Sequence, residues 1–263
     1  MLTLLRHELK QEYKSLIIWS LSVGGIGLLC ICLFTAMTDD MASLSESFSN
    51  MGAFSDAFGM STLGIGTIAG FFATEVGTVH SLGSAMYAAI TATLILSKEE
   101  DGHTGEFLYS LPVSRFKAVT AKLISLLITI TMFTVITGIL YAIGFCVIDE
   151  APDTGLFVRF MLSQALMDVE IMLICTAFSA FQKKNMLGAG LGMSLVLYAF
   201  DLMGRVIPDL KDALFIGPFS YSNASEIFAE KDIAGSAYVF GIAVMVGAVI
   251  LTYAKYMKKD LAS

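Results

Sequence analysis

Six long runs of mostly apolar residues, separated by short polar connections, constrain this chain more than any other feature of its sequence. A helix needs about 20 such residues to cross the hydrocarbon core of a bilayer. Only 15% of the 263 residues are charged, whereas a soluble domain carries roughly 25%, so a soluble surface could not be covered. We therefore predict an all-α membrane protein with six transmembrane helices, at about residues 16–37, 78–97, 119–148, 157–181, 186–204 and 235–256.

The distribution of basic residues predicts the orientation of these helices. Twelve of the 16 Lys and Arg residues fall in the N-terminal segment, the second-to-third connection, the fourth-to-fifth turn and the C-terminal tail. The first long loop, residues 38–77, contains no Lys or Arg. Since basic loops stay in the cytoplasm, both termini are expected there, in a bacterial cytoplasmic membrane, and residues 38–77 and 205–234 become outer loops.

The segments outside the six runs have their own patterns. Residues 1–15 place leucines at steps of three or four beside the row Arg6, Lys10 and Lys14, which is typical of an amphipathic helix lying in the membrane interface. We expect one or two short interfacial helices in residues 38–60 and a re-entrant or surface-lying segment in residues 61–77. The six-helix domain would cover residues 16–256, followed by a cytoplasmic tail at 257–263.

A polar segment, KEEDGHTGEFLYSLPVSR at residues 98–115, lies between the second and third predicted helices. TGEFLYSL can form about two helical turns, which Pro112 ends because a residue that precedes proline is pushed out of the helical region. Ser114 is then placed to cap the third helix. The product is a short helix held between two membrane helices, with apolar side chains available to insert into a partner: Phe107, Leu108 and Leu111.

This segment resembles that of the ABC-2 type transporter permeases, which carry a Glu-rich Gly-Thr stretch, a Pro-Val-Ser-Arg turn and a lysine between spans two and three. His103 departs from the pattern, since it stands where the family usually has the glycine before the threonine. The residues that match are Glu99, Glu100, Gly102, Thr104, Glu106, Leu108, Pro112, Ser114, Arg115 and Lys122.

The resemblance implies a type V exporter-like permease that moves a drug, antimicrobial peptide, lipid, polysaccharide or ion outward. It also implies two copies of a separate ATPase, which bind ATP and magnesium, and a second permease protomer, either this chain or a paralogue. The chain itself lacks the phosphate-binding motif G-x-x-x-x-G-K-[ST]. We expect no cofactor in this chain, lipid contacts and no nucleic acid partner. The segment would be the coupling helix that docks on the ATPase through Glu99, Glu100, Gly102, His103, Thr104, Glu106, Phe107, Leu108, Leu111, Pro112 and Arg115.

Polar residues inside the apolar runs are the other candidates. Gln164 and Asp168 are four residues apart and share one helix face, which we interpret as a pathway-lining surface or a contact between helices. Glu170 projects elsewhere, toward a neighbouring helix or a second protomer. For Asp201 we favour an i, i+4 ion pair with Arg205 at the end of the fifth helix. GAGLG at 188–192 predicts close helix packing.

Two other classes of protein stay open at this point. One is a membrane-embedded enzyme that uses Asp168, Glu170 or His80. The other is a sensor or immunity subunit that binds an antimicrobial peptide through the first outer loop. Catalysis or metal binding by His103 and its acidic neighbours is disfavoured, because no second histidine or cysteine stands nearby.

Overall fold

The computed structural model describes residues 1–49, 51–60, 63–102 and 113–259, with side chains for all of these except residues 37–49 and 54. All the regular structure in these ranges is helical. In chain order the α-helices are α1 (Leu2–Ser49), α2 (Ala53–Phe58), α3 (Ile68–Phe71), α4 (Gly77–Leu94), α5 (Lys98–Asp101), α6 (Arg115–Ile148), α7 (Thr154–Ser179), α8 (Leu187–Val206), α9 (Pro208–Lys211), α10 (Ala224–Phe228) and α11 (Gly235–Met257).

Five described helices are long and apolar enough to cross a membrane: the Leu2–Ala36 part of α1, and α6, α7, α8 and α11. The second predicted span corresponds to α4, which carries no charged residue but has many small and hydroxyl side chains. It lies among α1, α7 and α8, and its buried positions face protein. A helix surrounded by other helices needs less hydrophobicity than one that faces lipid, so its weaker apolar signal follows from its central position.

The N-terminal prediction of a separate interfacial helix differs from the structure, where residues 2–49 form one helix. No proline interrupts this stretch, so nothing in its sequence breaks the helix. At 1.5 Å per residue it is about 70 Å long, more than twice the thickness of the hydrocarbon core. Arg6, Lys10 and Lys14 are exposed, and so are Leu2 (83%) and Tyr13 (45%), whereas Leu16 is buried (7%).

Residues 68–77 also differ from the predicted re-entrant or surface-lying segment. Thr67 caps α3 by accepting a hydrogen bond from the Gly70 amide (3.1 Å), and a π-helical turn at Phe72–Val76 leads without a break into α4. Phe72 is fully buried among the aromatic rings of α6, α7 and α10. The segment is apolar because it leads into α4 with its side chains packed inside the bundle.

Two groups of helices pack tightly within themselves. The longest helix contact is that of α1 along α6, where a Cβ atom on Gly27 would lie 2.3 Å from the Tyr141 ring. The other group is α4 with α7 and α8, and α7 with α11, around a core that includes Ala88, Met167 and Ile171. We call these the α1–α6 pair and the α4–α7–α8–α11 group, and the two share buried contacts, since Leu126 and Ile130 of α6 belong to the core of the second group.

Candidate functional site: an ion-pair network at the base of the polar segment

A buried carboxylate, that of Glu8, lies between two lysines at the end of the bundle where α1 begins. The Nζ atom of Lys122 is 3.3 Å from Glu8 Oε1, and Lys98 donates to Glu8 Oε2. Glu8 and Lys122 are each only 1% exposed. Lys122 also donates to the Ile95 carbonyl oxygen (2.6 Å) and to Glu99. This cluster joins α1, α6, the last turn before α5 and α5 itself.

Helical periodicity explains why Glu8 points inward. Glu8 is two helical turns before Leu16, and Leu16 is two helical turns before Val23. The side chains of Leu16 and Val23 are both buried. Residues seven or eight apart lie on one face of an α-helix. The first turns of α1 therefore bring a carboxylate to the face that packs on the rest of the bundle, while the basic row remains in solvent.

A second set of contacts ties the C-terminal end of the chain to the same place. Lys259 Nζ lies 2.6 Å from Glu100 Oε1 and donates to the Gln182 carbonyl oxygen. Arg115 Nη1 donates to the carbonyl oxygens of Lys259 (2.7 Å) and Met257 (3.3 Å). The segment that follows α11 is thereby held against α5, the first turn of α6 and the turn after α7.

These contacts make α5 a firmly attached element rather than a solvated turn. Its two central carboxylates, Glu99 and Glu100, face lysines from α6 and from the end of the chain, and the Gly102 amide closes the helix by donating to the Lys98 carbonyl oxygen (2.9 Å). Removing one member of a buried ion pair typically costs about 3–5 kcal/mol. α5 is therefore attached through its side chains to α1, to α6 and to the segment that follows α11.

The structure describes only part of the predicted docking segment. Glu99, Glu100 and Arg115 are in the network, whereas Gly102 only closes α5 through its backbone amide. Ser114 caps α6, as predicted, by accepting from the Lys117 amide (3.4 Å). The remaining predicted positions lie outside the described residues: His103, Thr104, Glu106, Phe107, Leu108, Leu111 and Pro112.

Gln164 and Asp168, predicted to share a face of the fourth span, both face α4. Gln164 Nε2 donates to Ser81 Oγ (2.9 Å) and to the Ser222 carbonyl oxygen (2.7 Å). The Asp168 carboxylate is hydrogen-bonded to Ser84, one turn further along α4. These two residues therefore hold α7 to α4, and Gln164 also holds the loop before α10.

Glu170 and Asp201 make separate contacts. Glu170 Oε2 accepts from the Tyr221 hydroxyl (2.6 Å), which belongs to the loop between α9 and α10. Burial and then the nearby Glu170 carboxylate raise the pKa of the Tyr221 phenol, so the phenol is the donor. Asp201 forms the expected ion pair with Arg205, at 2.7 Å to Nε and 2.9 Å to Nη2.

His80 is enclosed by aromatic rings in the bundle interior, where its Nδ1 lies 2.9 Å from the Tyr141 hydroxyl. Across the described ranges, no three His, Cys, Asp or Glu side chains form a group that could hold a metal ion. Gln164, Asp168 and His80 thus contact other helices, whereas Glu170 contacts a loop and Asp201 contacts a residue of its own helix.

Sequence reasoning missed Glu8, Lys98 and Lys259 as members of the network. The signal for Glu8 was its spacing of eight residues from Leu16, which places it on the packed face of α1. The sequence shows Lys98 and Lys259 only as positive charges. The partner of Lys98 is Glu8, 90 residues away along the chain, and the partner of Lys259 is Glu100 on α5.

The comparisons with known proteins agree with the architecture. The family model described as ABC-2 family transporter protein matches residues 2–261, which is nearly the whole chain. A search of curated proteins found no match.

Proposed function

Because the chain belongs to the ABC-2 family of transporter proteins, we propose that it is the membrane-spanning subunit of an exporter driven by a separate ATPase. It would sit in the bacterial cytoplasmic membrane with both termini in the cytoplasm and move a substrate outward. Two ATPase subunits would bind ATP and magnesium, and a second permease protomer, identical or paralogous, would complete the pathway.

The observation that supports this proposal best is the attachment of α5 to both helix groups. Glu8 and Lys122 connect α5 to the α1–α6 pair, whereas Lys259 connects it to the end of α11. An ATPase that moved the polar segment would therefore act on both groups at once. Relative motion of packed helix groups is a common way to open a path through a protein.

The contacts also indicate two different roles for residues within the segment 98–115. Glu99, Glu100 and Arg115 are engaged with other parts of this chain, so in our proposal they hold the segment in place. Docking on the ATPase then falls to residues 103–112, where Glu106 offers a charge and Leu108 an apolar side chain.

The proposal is tested by co-purifying the chain with its proposed partner, a stand-alone ATPase from the same genome, and measuring ATPase activity in proteoliposomes. We expect Glu106→Lys and Leu108→Asp to reduce complex formation and to abolish stimulation of ATP hydrolysis by the permease. Glu150→Lys is the matched control, because Glu150 is exposed just after the far end of α6. A normal complex and normal stimulation with both docking variants would refute the assignment.

A further inference from the structure

A polar crevice of about 340 Å³ opens at the end of the bundle opposite the ion-pair network. Its walls come from α2, the end of α8, the loop that contains α9, and α10. Five charged side chains line it: Asp56, Arg205, Lys211, Glu226 and Lys231.

Arg205 gives the crevice a fixed, nearly buried cation. Its side chain is 9% exposed, and Asp201 holds it in place through Nε and Nη2. The third nitrogen, Nη1, lies 3.6 Å from Glu226 Oε1, which is longer than a hydrogen bond. A guanidinium held in this way is well suited to bind an anionic oxygen through its remaining donors.

The charges around the crevice balance. Arg205, Lys211 and Lys231 are positive, Asp56 and Glu226 line the same space as negative groups, and Asp201 pairs with Arg205 from behind. Three cations and two carboxylates therefore line the crevice, and Asp201 offsets the charge of Arg205. A ligand that carries both an anion and a cation fits lining groups of both signs.

The position of the crevice indicates where such a ligand comes from. Arg205 is one residue from the end of α8, a helix long and apolar enough to span a membrane, which is the level of the lipid headgroups. Large apolar side chains are exposed close by in sequence, at Met203 (49%), Val206 (37%) and Ile207 (41%). A lipid fits this arrangement with its headgroup in the polar crevice and its acyl chains along the exposed apolar side chains of α8.

We propose that this crevice is a binding site for a zwitterionic phosphate–ammonium group, as in the headgroup of phosphatidylethanolamine. The phosphate binds Arg205 and the two lysines, and the ammonium binds Asp56 and Glu226. This site goes beyond the proposed function, because it requires neither an ATPase nor transport.

The test measures lipid retention by native mass spectrometry on the full chain, purified in a neutral detergent and delipidated. Short-chain phosphatidylethanolamine and phosphatidylglycerol, which lacks the ammonium, are added separately. We expect phosphatidylethanolamine to be retained about tenfold better, and Lys211→Gln and Glu226→Gln each to reduce its retention three- to tenfold. Arg159→Gln is the control, since Arg159 is exposed at the same end of the bundle and does not line the crevice.

Competition with water-soluble glycerophosphoethanolamine distinguishes the two sources of the ligand group. Displacement of the lipid shows that the headgroup alone is sufficient, whereas lipid retention without displacement, but still sensitive to Lys211→Gln, shows that the acyl chains are required as well. Equal retention of both lipids, or retention that neither crevice variant lowers relative to Arg159→Gln, would overturn the proposal.

Discussion

Replacing Glu8 with glutamine is the sharpest test of the network, because it removes one charge and almost no volume. Lys122 would lose a carboxylate at 3.3 Å while it remained 1% exposed. At an effective dielectric constant of about 20, two unit charges at this separation attract each other by about 5 kcal/mol. Lys122 keeps Glu99 and the Ile95 carbonyl oxygen, so we expect about half of this, or 2–3 kcal/mol, to be lost from the free energy of unfolding.

In a chain of this size, 1 kcal/mol corresponds to about 2–4 °C in Tm, so Glu8→Gln should lower Tm by about 5–10 °C. Thermal unfolding in a neutral detergent can be followed through the fluorescence of Trp19, the only tryptophan, whose ring lies 6.0 Å from that of Tyr87. Glu150→Gln, the same substitution at an exposed position, should leave Tm within about 1–2 °C of the wild-type value.

A double-mutant cycle separates the ion pair from other effects of the substitution. If Glu8 and Lys122 interact as the structure indicates, combining Glu8→Gln with Lys122→Gln should cost at least about 1 kcal/mol less than the sum of the two single changes. Additive effects, or a Glu8→Gln variant as stable as Glu150→Gln, would refute the reasoning.

Three further predictions concern packing, the C-terminal contact and pH. Gly190→Leu should lower Tm by several degrees, because a Cβ atom there would lie 2.3 Å from a threonine oxygen on α4, whereas Gly192→Leu, which meets no atom within 4 Å, should not. Lys259→Gln should destabilise the chain by about 3–5 kcal/mol, since its buried carboxylate partner on α5 loses its cation, and the exposed Lys258→Gln should have little effect. The raised pKa of Tyr221 means that its neutral phenol contributes stability fully below about pH 10 and loses it as the pH rises further. As the pH rises from about 9 to about 11, the Tm of the Tyr221→Phe variant should therefore fall less than the Tm of the wild type.

The sequence predicted helices well where the apolar signal and the caps coincide. The third predicted span ended at Ile148, as α6 does, and Ser114 was identified as its cap. The extent of α1 was harder to predict. The change from charged to apolar residues near Leu16 marks a change in surroundings, from interface to membrane. An α-helix can cross such a boundary without a break, because its backbone hydrogen bonds are internal.

The sequence predicted only some members of the ion-pair network, and the reason is different. Composition and spacing identified Glu99 and Glu100 as a charged cluster, but an exposed cluster and a buried one look the same along the chain. Their partners on α6 and after α11 are 23 and 159 residues away, and only the fold determines such distant pairs. Glu8 could have been placed on the packed face of α1, but not beside two lysines.

The division of the bundle into two helix groups makes a final prediction about motion. Val23 and Gly24 are neighbours on α1 but face different groups. A Cβ atom on Gly24 would lie 3.4 Å from Leu140 Cβ of α6. A Cβ atom on Gly83 of α4 would lie 3.7 Å from Val23 Cβ. The second separation lies within the range of about 3.5–4.5 Å between the Cβ atoms of a disulfide bond, and the first lies just below it. In a background without the four native cysteines, Gly24→Cys with Leu140→Cys joins helices within one group, and Val23→Cys with Gly83→Cys joins the two groups.

If the ATPase acts by moving the α1–α6 pair against the other group, oxidation of the Val23–Gly83 cysteine pair should abolish ATP-driven transport, and reduction should restore it. Oxidation of the Gly24–Leu140 pair should leave transport largely intact, because those two helices move together. Equal inhibition by both cross-links would show that α1 and α6 also move against each other. Inhibition by neither would show that the two helix groups do not separate during transport, and the role of the network as a shared attachment point would have to be abandoned.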